Sequence, residues 1–230
     1  MPDPAWKLSA AIAGDWLYLY GGNKGGFRDL SSADQLGDVW RINFNNPGEW
    51  EKVISGIKLE SLSMLAYKDA IYTIGGLTIW NQKGDSPDQH STNQVWKHDP
   101  KAQTWKELTP LPEPRSAHGS VIVDGKIYII GGQNIQGNAR RGAAMQKIAY
   151  RADLSTTALE WQQISDPPFY CKDLLPLVLE RKYTSLVGQD QDVSISMPFT
   201  FMIRSRTLSS TLTIQPEKGA SVLRRQLSII

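Results

Sequence analysis

One short pattern occurs three times in this chain at nearly constant spacing. A polar turn is followed by alternating β-forming residues and then by a glycine pair, at Gly21–Gly22, Gly75–Gly76 and Gly131–Gly132. Gly75 follows Gly21 by 54 positions, and Gly131 follows Gly75 by 56 positions. A fixed period of this size is typical of repeat architectures, in which each copy needs its neighbours to bury its apolar surface.

Aromatic residues recur in phase with the glycines. About twenty residues after each pair comes a large aromatic residue, and roughly ten residues later comes a tryptophan. In chain order these are Trp40 and Trp50, Trp96 and Trp105, and Tyr150 and Trp161. Because the landmarks keep the same order in all three copies, chance glycine pairs do not explain the pattern. Rings of this size supply the apolar area that one sheet presents to the next.

Each copy predicts four short antiparallel strands. In the third copy we expect them at about 116–123, 126–130, 147–151 and 160–164. The Asp124–Gly125 pair favours a tight hairpin between the first two strands, because both residue types tolerate positive φ. The glycine pair ends the second strand where the chain bends sharply and backbones approach closely.

The glycine pair, the spaced aromatics and the period resemble the Kelch-repeat family, whose period is ~50 residues. The resemblance covers about residues 8–168. It implies an all-β fold, a Kelch-type β-propeller with three clear four-stranded blades arranged radially about a channel. We therefore assign residues 1–168 to the propeller blades.

Residues 169–230 carry the pattern only weakly. All eight tryptophans lie before residue 162, and seventeen of the 19 glycines lie before residue 143. A faint fourth copy aligns 178–189 with 122–133, and strand-like runs follow near 199–206 and 210–215. Two interpretations stay open, a degenerate fourth blade and a C-terminal segment that does not fold as a blade. In the second case the open propeller edge is free to pair with another chain.

Charge and hydropathy narrow the classes of partner. The net charge is +2 without long blocks of like charge, so nothing argues for nucleic acid or a membrane surface. No apolar run reaches the ~18 residues of a membrane span. The start of the chain lacks the features of a signal peptide, and the single Cys171 cannot form an internal disulfide. These features favour a cytoplasmic location.

Catalytic patterns are weak. The histidines His90, His98 and His118 show neither i,i+4 spacing nor an H-E-x-x-H motif. The glycine-rich run 21–26 lacks the Lys-Ser/Thr ending of a phosphate-binding loop. Some Kelch-like propellers are enzymes, including galactose oxidase and sialic acid mutarotases. The oxidase chemistry would need a cysteine–tyrosine cofactor, and Cys171 lies outside the clear repeats. We expect no metal and no cofactor.

Binding is expected on loops held by the rigid strands. The longest loops join second and third strands at about 23–37, 77–93 and 133–146, far beyond the ~2–5 residues of ordinary hairpin loops. This unstructured excess is either a contact surface or tolerated insertion, and three such loops in parallel favour a contact surface. Trp80 lies outside the repeat pattern, so it either anchors a partner or packs on its own loop.

Arginine and histidine side chains complete the set of candidates. Paired arginines can bind carboxylates or phosphates bidentately. The family resemblance implies pocket arginines near the first strands, and Arg115 is the nearest match. His118 enters the same strand, where such propellers often line the channel mouth. The candidate binding residues are Arg28, Trp80, Arg115, His118, Arg140 and Arg141.

Three functional hypotheses follow. The leading one is a non-catalytic module that binds a protein or peptide partner. The second is a carbohydrate-active propeller, a sugar mutarotase or lectin, and the third is a truncated propeller without a function of its own. A sugar site would gather polar groups and an aromatic platform inside the channel, whereas a protein site would place apolar anchors on the outer loops.

Overall fold

A computed structural model provides the structure of the chain. It describes residues 5–26, 30–138, 143–156, 158–168 and 170, together with the backbone of 197–203 and 206–212. The chain divides into two units, Met1–Leu179 and Glu180–Ile230. Within the described part all regular elements are β-strands, as the sequence predicts.

The first unit contains three four-stranded antiparallel sheets, which we call blades 1 to 3. Blade 1 consists of β1 (Ser9–Ala13), β2 (Trp16–Tyr20), β3 (Asp38–Asn43) and β4 (Glu51–Ser55). The next strands in the chain are β5 (Ser63–Tyr67), β6 (Ala70–Ile74), β7 (Leu77–Ile79), β8 (Gln89–Ser91), β9 (Val95–Asp99) and β10 (Thr104–Leu108). Blade 2 takes β5, β6, β9 and β10 from this set, and β7 pairs with β8 in the loop between β6 and β9.

Blade 3 follows the same plan. Its region contains β11 (Gly119–Val123), β12 (Lys126–Ile130), β13 (Gln133–Asn134), β14 (Gln136–Gly137), β15 (Ala144–Met145), β16 (Ala149–Asp153) and β17 (Gln162–Ile164). The blade itself is β11, β12, β16 and β17. Asp124 and Gly125 have φ of 49° and 72°, so the predicted tight hairpin is confirmed. The first strand begins three residues later than expected, because Ser116 bridges Gln133 instead.

Side-chain alternation gives every blade two faces. We call the face toward the preceding blade its leading face and the face toward the following blade its trailing face. Tyr18 and Tyr20 on the trailing face of blade 1 share an apolar cluster with Met64 and Ile71 on the leading face of blade 2. Blades 2 and 3 repeat this contact through the cluster of Tyr72, Ile74, Val95, Ile127 and Ile129. Stacking therefore buries surface that a single sheet would leave exposed.

Backbone hydrogen bonds join the blades at one repeated position. Lys7, Ser61 and Ala117 precede the first strands of the three blades and all have left-handed φ, at 55°, 52° and 53°. The Ser61 amide donates to the Lys7 carbonyl over 3.1 Å, and the Ala117 amide donates to the Ser61 carbonyl over 2.8 Å. This conformation, rare for non-glycine residues, turns each amide toward the preceding blade.

The glycine pairs lie where neighbouring parts of the chain approach closely, as the sequence predicts. At Gly75, with φ of 57°, a Cβ atom would overlap the carbonyl oxygen of Arg115 at the start of blade 3. At Gly76, with φ of 114°, a Cβ atom would lie 2.9 Å from the Cβ of Leu62. Glycine is required here both by the backbone conformation and by the space available.

The second unit is described through one antiparallel hairpin. It consists of β18 (Met197–Ile203) and β19 (Arg206–Leu212). Both predicted runs overlap these strands, but β18 begins two residues before the first run and β19 begins at Arg206, the last residue of that run. The proposed fourth copy at 178–189 lies outside the described residues. The degenerate fourth blade therefore stays a prediction.

Candidate functional site

The loops between second and third strands form a connected layer, which we call the loop layer (residues 23–26, 30–37, 77–93 and 133–138). The expectation that these loops are unstructured is wrong for blades 2 and 3. β7, β8 and β14 form a three-stranded sheet, and β13 pairs with β15. Their backbone groups bond one another, which satisfies donors and acceptors that a loop would otherwise leave to water.

Buried amide side chains join the loops of blades 1 and 2. Gln35 is 3% exposed, donates from Nε2 to the Leu77 carbonyl over 2.8 Å and accepts the Ile79 amide at Oε1 over 3.1 Å. Asn81 donates from Nδ2 to the Leu30 carbonyl over 2.6 Å. A side chain that completes the hydrogen bonding of a neighbouring strand fixes the two loops in one arrangement.

Trp80 projects from this layer. Its side chain is 62% exposed, yet its ring stacks on the ring of His90, with centroids 3.8 Å apart and planes 24° apart. One face of the indole thus packs on its own loop while most of the residue meets solvent, and the role of Trp80 as a partner anchor stays a prediction. The indole is an apolar platform held in a fixed orientation.

His90 is itself held on both sides. Its Nε2 lies 2.7 Å from Oδ1 of Asp88, and its Nδ1 lies 3.0 Å from Oε1 of Gln136. Gln136 belongs to β14 of blade 3 and pairs with His90 across the small sheet. An imidazole bonded at both nitrogens does not rotate freely, so blade 3 contributes directly to the orientation of Trp80 on blade 2.

A buried carboxylate lies beneath the loop layer. Glu60 is fully buried, and its Oε1 accepts a hydrogen bond from Nζ of Lys7 over 2.7 Å. Its Oε2 accepts a bond from Nδ2 of Asn23 over 3.2 Å. The charge is thus paired and hydrogen bonded, as burial of a carboxylate requires. These contacts tie the start of blade 1 to the start of blade 2.

Arg115 lies inside the blade stack. It has 0% exposure, and its Nη1 donates to the carbonyls of Gly131 over 3.1 Å and Ile148 over 2.8 Å. The guanidinium also lies 5.1 Å from the ring centre of Tyr150. These contacts tie the start of blade 3 to its second and third strands. The role of Arg115 in a binding pocket, suggested by the resemblance, stays a prediction.

His118 occupies the junction between blades 2 and 3. It is 5% exposed, and among the described residues neither ring nitrogen has a hydrogen-bonding partner. Burial, followed by the neighbouring positive charge of Arg115, lowers the pKa of His118 to about 3. His118 Cε1 lies 2.9 Å from where a Cβ on Gly75 would stand, and His118 Cβ lies 2.8 Å from the same point at Gly132. A binding role for His118 stays a prediction.

The other predicted arginines, Arg28, Arg140 and Arg141, lie outside the described residues. The sequence did not single out the residues that support the Trp80 indole, namely His90, Asp88 and Gln136. His90 and Asp88 are two positions apart, with His90 in β8 and Asp88 just before it, which is a weak signal. Gln136 is 46 positions from His90, and no local sequence pattern predicts a contact between residues so far apart in the chain.

No group of three or more potential ligand residues in the described part could hold a metal ion. In the same residues no helix is long and apolar enough to span a membrane. Three blades stacked face to face, with first strands side by side and connected loops at one end, define the class of the protein as a β-propeller chain.

Comparison with known proteins shows what the chain is similar to. The family model of the Kelch motif matches residues 114–135. Kelch-like protein 40 of Mus musculus is 36% identical over 136 residues, which cover 57% of this chain and 19% of that protein. Kelch-like protein 23 of Homo sapiens is 25% identical over 164 residues, which cover 70% of this chain and 25% of that protein.

The fold has a counterpart among solved structures. The structure of YjhT matches with a TM-score of 0.56 and 18% identity, over 74% of this chain and 54% of that chain. The curated relatives named above are much longer, since this chain spans a quarter of their length or less. These matches support a Kelch-repeat family for this chain.

Proposed function

We propose that this chain is a non-catalytic interaction module that binds a protein or peptide on its loop layer, with Trp80 as the central contact. The observation that carries the proposal is the exposed indole stacked on His90, which has hydrogen-bonding partners at both ring nitrogens. Tryptophan is enriched among residues that dominate binding energy at protein interfaces. An orientation fixed before binding also lowers the entropy lost on association.

The location of the platform favours this function over a sugar site. A carbohydrate-active propeller is expected to place its aromatic platform and polar groups within the channel. Trp80 instead lies in the loop between β6 and β9 and is 62% exposed. The names of the relatives, all Kelch-like proteins, are consistent with a shared scaffold but carry no partner over to this chain.

Peptide selection tests the proposal directly. The purified full chain is panned against a random peptide library displayed on phage, and the affinity of selected peptides is measured by calorimetry. We expect Trp80→Ala to weaken binding by at least about 30-fold, the equivalent of ~2 kcal/mol for a dominant contact. His90→Ala should weaken binding less, because the indole remains but loses its support.

A matched control uses another exposed aromatic residue. Phe44 is 47% exposed and lies in the turn between β3 and β4, at the end of blade 1 away from the loop layer. Phe44→Ala should leave peptide affinity unchanged. Selected peptides that bind the Trp80→Ala variant as tightly as the original chain would refute the proposal. Selection of glycans on an array, with no peptide selected, would favour the carbohydrate-active alternative.

A further inference from the structure

The leading face of blade 1 is a continuous apolar surface. The strand register places its members opposite one another on β1, β2 and β3: Ala10, Ile12, Leu17, Leu19, Trp40 and Ile42. None of the six is buried, and Ile12 is 61% exposed. Among the described residues, no strand covers this face.

The equivalent face is covered in both other blades, and the cover is the same each time. Ile71 and Ile127 occupy the position of Leu17 in the later repeats, and both are completely buried. Each lies in a cluster with a tyrosine from the trailing face of the preceding blade, Tyr18 in one case and Tyr72 in the other. In this fold a leading face therefore packs against a trailing face. That trailing face carries a tyrosine at the position of Tyr18 and Tyr72.

Blade 3 presents such a trailing face. Tyr128 stands where Tyr18 and Tyr72 stand in the earlier repeats. Val121 lies opposite Tyr128 in the register, and Val123 beside them is 42% exposed. Tyr128 and Val121 are partly exposed. The first and last described blades thus carry the two complementary halves of the junction that joins blades within the chain.

We propose that two copies of this chain bind one another through these faces. The trailing face of blade 3 in one copy packs on the leading face of blade 1 in the other, and two-fold symmetry repeats the contact. Each copy contributes the three described blades, so two copies bring six of these blades together. A two-fold arrangement closes the assembly, whereas the same head-to-tail contact without closure would form open polymers.

A backbone hydrogen-bonding observation supports this occupant. Among the described residues, neither the Lys7 amide nor the Ala117 carbonyl has a hydrogen-bonding partner, although the intervening Ser61 uses both groups. In the dimer the Lys7 amide of one copy would donate to the Ala117 carbonyl of the other.

Light scattering coupled to size-exclusion chromatography tests the proposal on the full chain. We expect twice the mass of one chain. Ile12→Lys places a charge in the junction without a partner and should raise the dimer dissociation constant by about tenfold or more. Val123→Glu should do the same from the other face. Phe44→Lys, a charge at an exposed apolar residue outside both faces, should leave the dimer intact.

The double variant separates a lost interface from a lost fold. Tyr67 and Ile122, the repeat equivalents of Val123 and Ile12, lie in one cluster at the junction of blades 2 and 3. Ile12→Lys and Val123→Glu in the same chain should therefore restore the dimer. Circular dichroism checks that each single variant keeps its strand content. A full chain that stays monomeric, forms open polymers or dimerises equally well with Ile12→Lys would overturn the proposal.

Discussion

His118 is a polar residue at a position that the repeat otherwise gives to leucine. Leu8 and Leu62 precede it by 110 and 56 positions. Leu62 Cδ2 lies 3.0 Å from where a Cβ on Gly21 would stand, and His118 Cε1 lies 2.9 Å from the same point at Gly75. The two side chains fill equivalent space between consecutive blades. Replacement of His118 by leucine should therefore fit without rearrangement.

The substitution should stabilise the fold. Each buried polar atom without a hydrogen bond costs about 1–3 kcal/mol, and both ring nitrogens of His118 lack a partner among the described residues. Leucine removes this cost and keeps the apolar contact, so His118→Leu should raise the free energy of unfolding by about 1–3 kcal/mol at pH 7.5. For a domain of this size, 1 kcal/mol corresponds to about 2–4 °C in Tm.

The stabilisation produced by His118→Leu should increase as the pH falls. The pKa of His118 is about 3 in the folded chain, below the ordinary histidine value of 6.5. Between these values the unfolded chain binds a proton that the folded chain does not, so the original protein loses stability as pH falls. The loss is about 1.4 kcal/mol per pH unit, or about 2 kcal/mol between pH 6.5 and 5. His118→Leu removes this contribution.

Urea unfolding followed by tryptophan fluorescence at pH 7.5 and pH 5.0 measures both effects. Leu62→His is the matched reverse change, and it should lower stability and add a similar pH dependence. His98, whose pKa is lowered mainly by burial, remains in every variant and contributes a common background. A His118→Leu variant that is less stable than the original at both pH values would show that the imidazole makes a favourable polar contact.

Two further changes test the blade junctions by urea unfolding. Gly75→Ala should lower stability by more than about 2 kcal/mol, since the new Cβ meets the Arg115 carbonyl, whereas Gly84→Ala, with φ of 91° but open space, should lose only ~1 kcal/mol. Equal losses would contradict the steric reasoning. Glu60→Gln should lose about 1–3 kcal/mol by weakening the bond to Lys7, and a double-mutant cycle with Lys7→Met should show coupling between them. Purely additive effects would show that the buried pair contributes no interaction energy.

Much of the fold follows from local rules. The period, the glycine pairs and the alternation of β-forming residues predict three four-stranded blades, because each feature acts over a few neighbouring residues. The Asp124–Gly125 turn was predictable for the same reason. Strand ends were less predictable: Ser116 leaves β11 to bridge Gln133, a contact made by a distant loop.

The candidate site was predicted only in part. Trp80 was identified because it departs from the repeat, and departure from a repeat is visible in a sequence. The stacking of Trp80 on His90, and the clamp by Gln136, depend on the pairing of β8 with β14 from another blade. No spacing rule within one loop specifies that pairing.

Arg115 and His118 show most clearly what the sequence determines and what the tertiary structure determines. Their residue types and their place before the first strand made both plausible ligand contacts. Only the stacking of blades reveals that both are buried, one bonded to backbone carbonyls and the other confined between glycines. The sequence alone determined the repeat, since strand, turn and period are encoded locally. The tertiary structure decided which polar side chains reach solvent, because burial depends on the neighbouring blade.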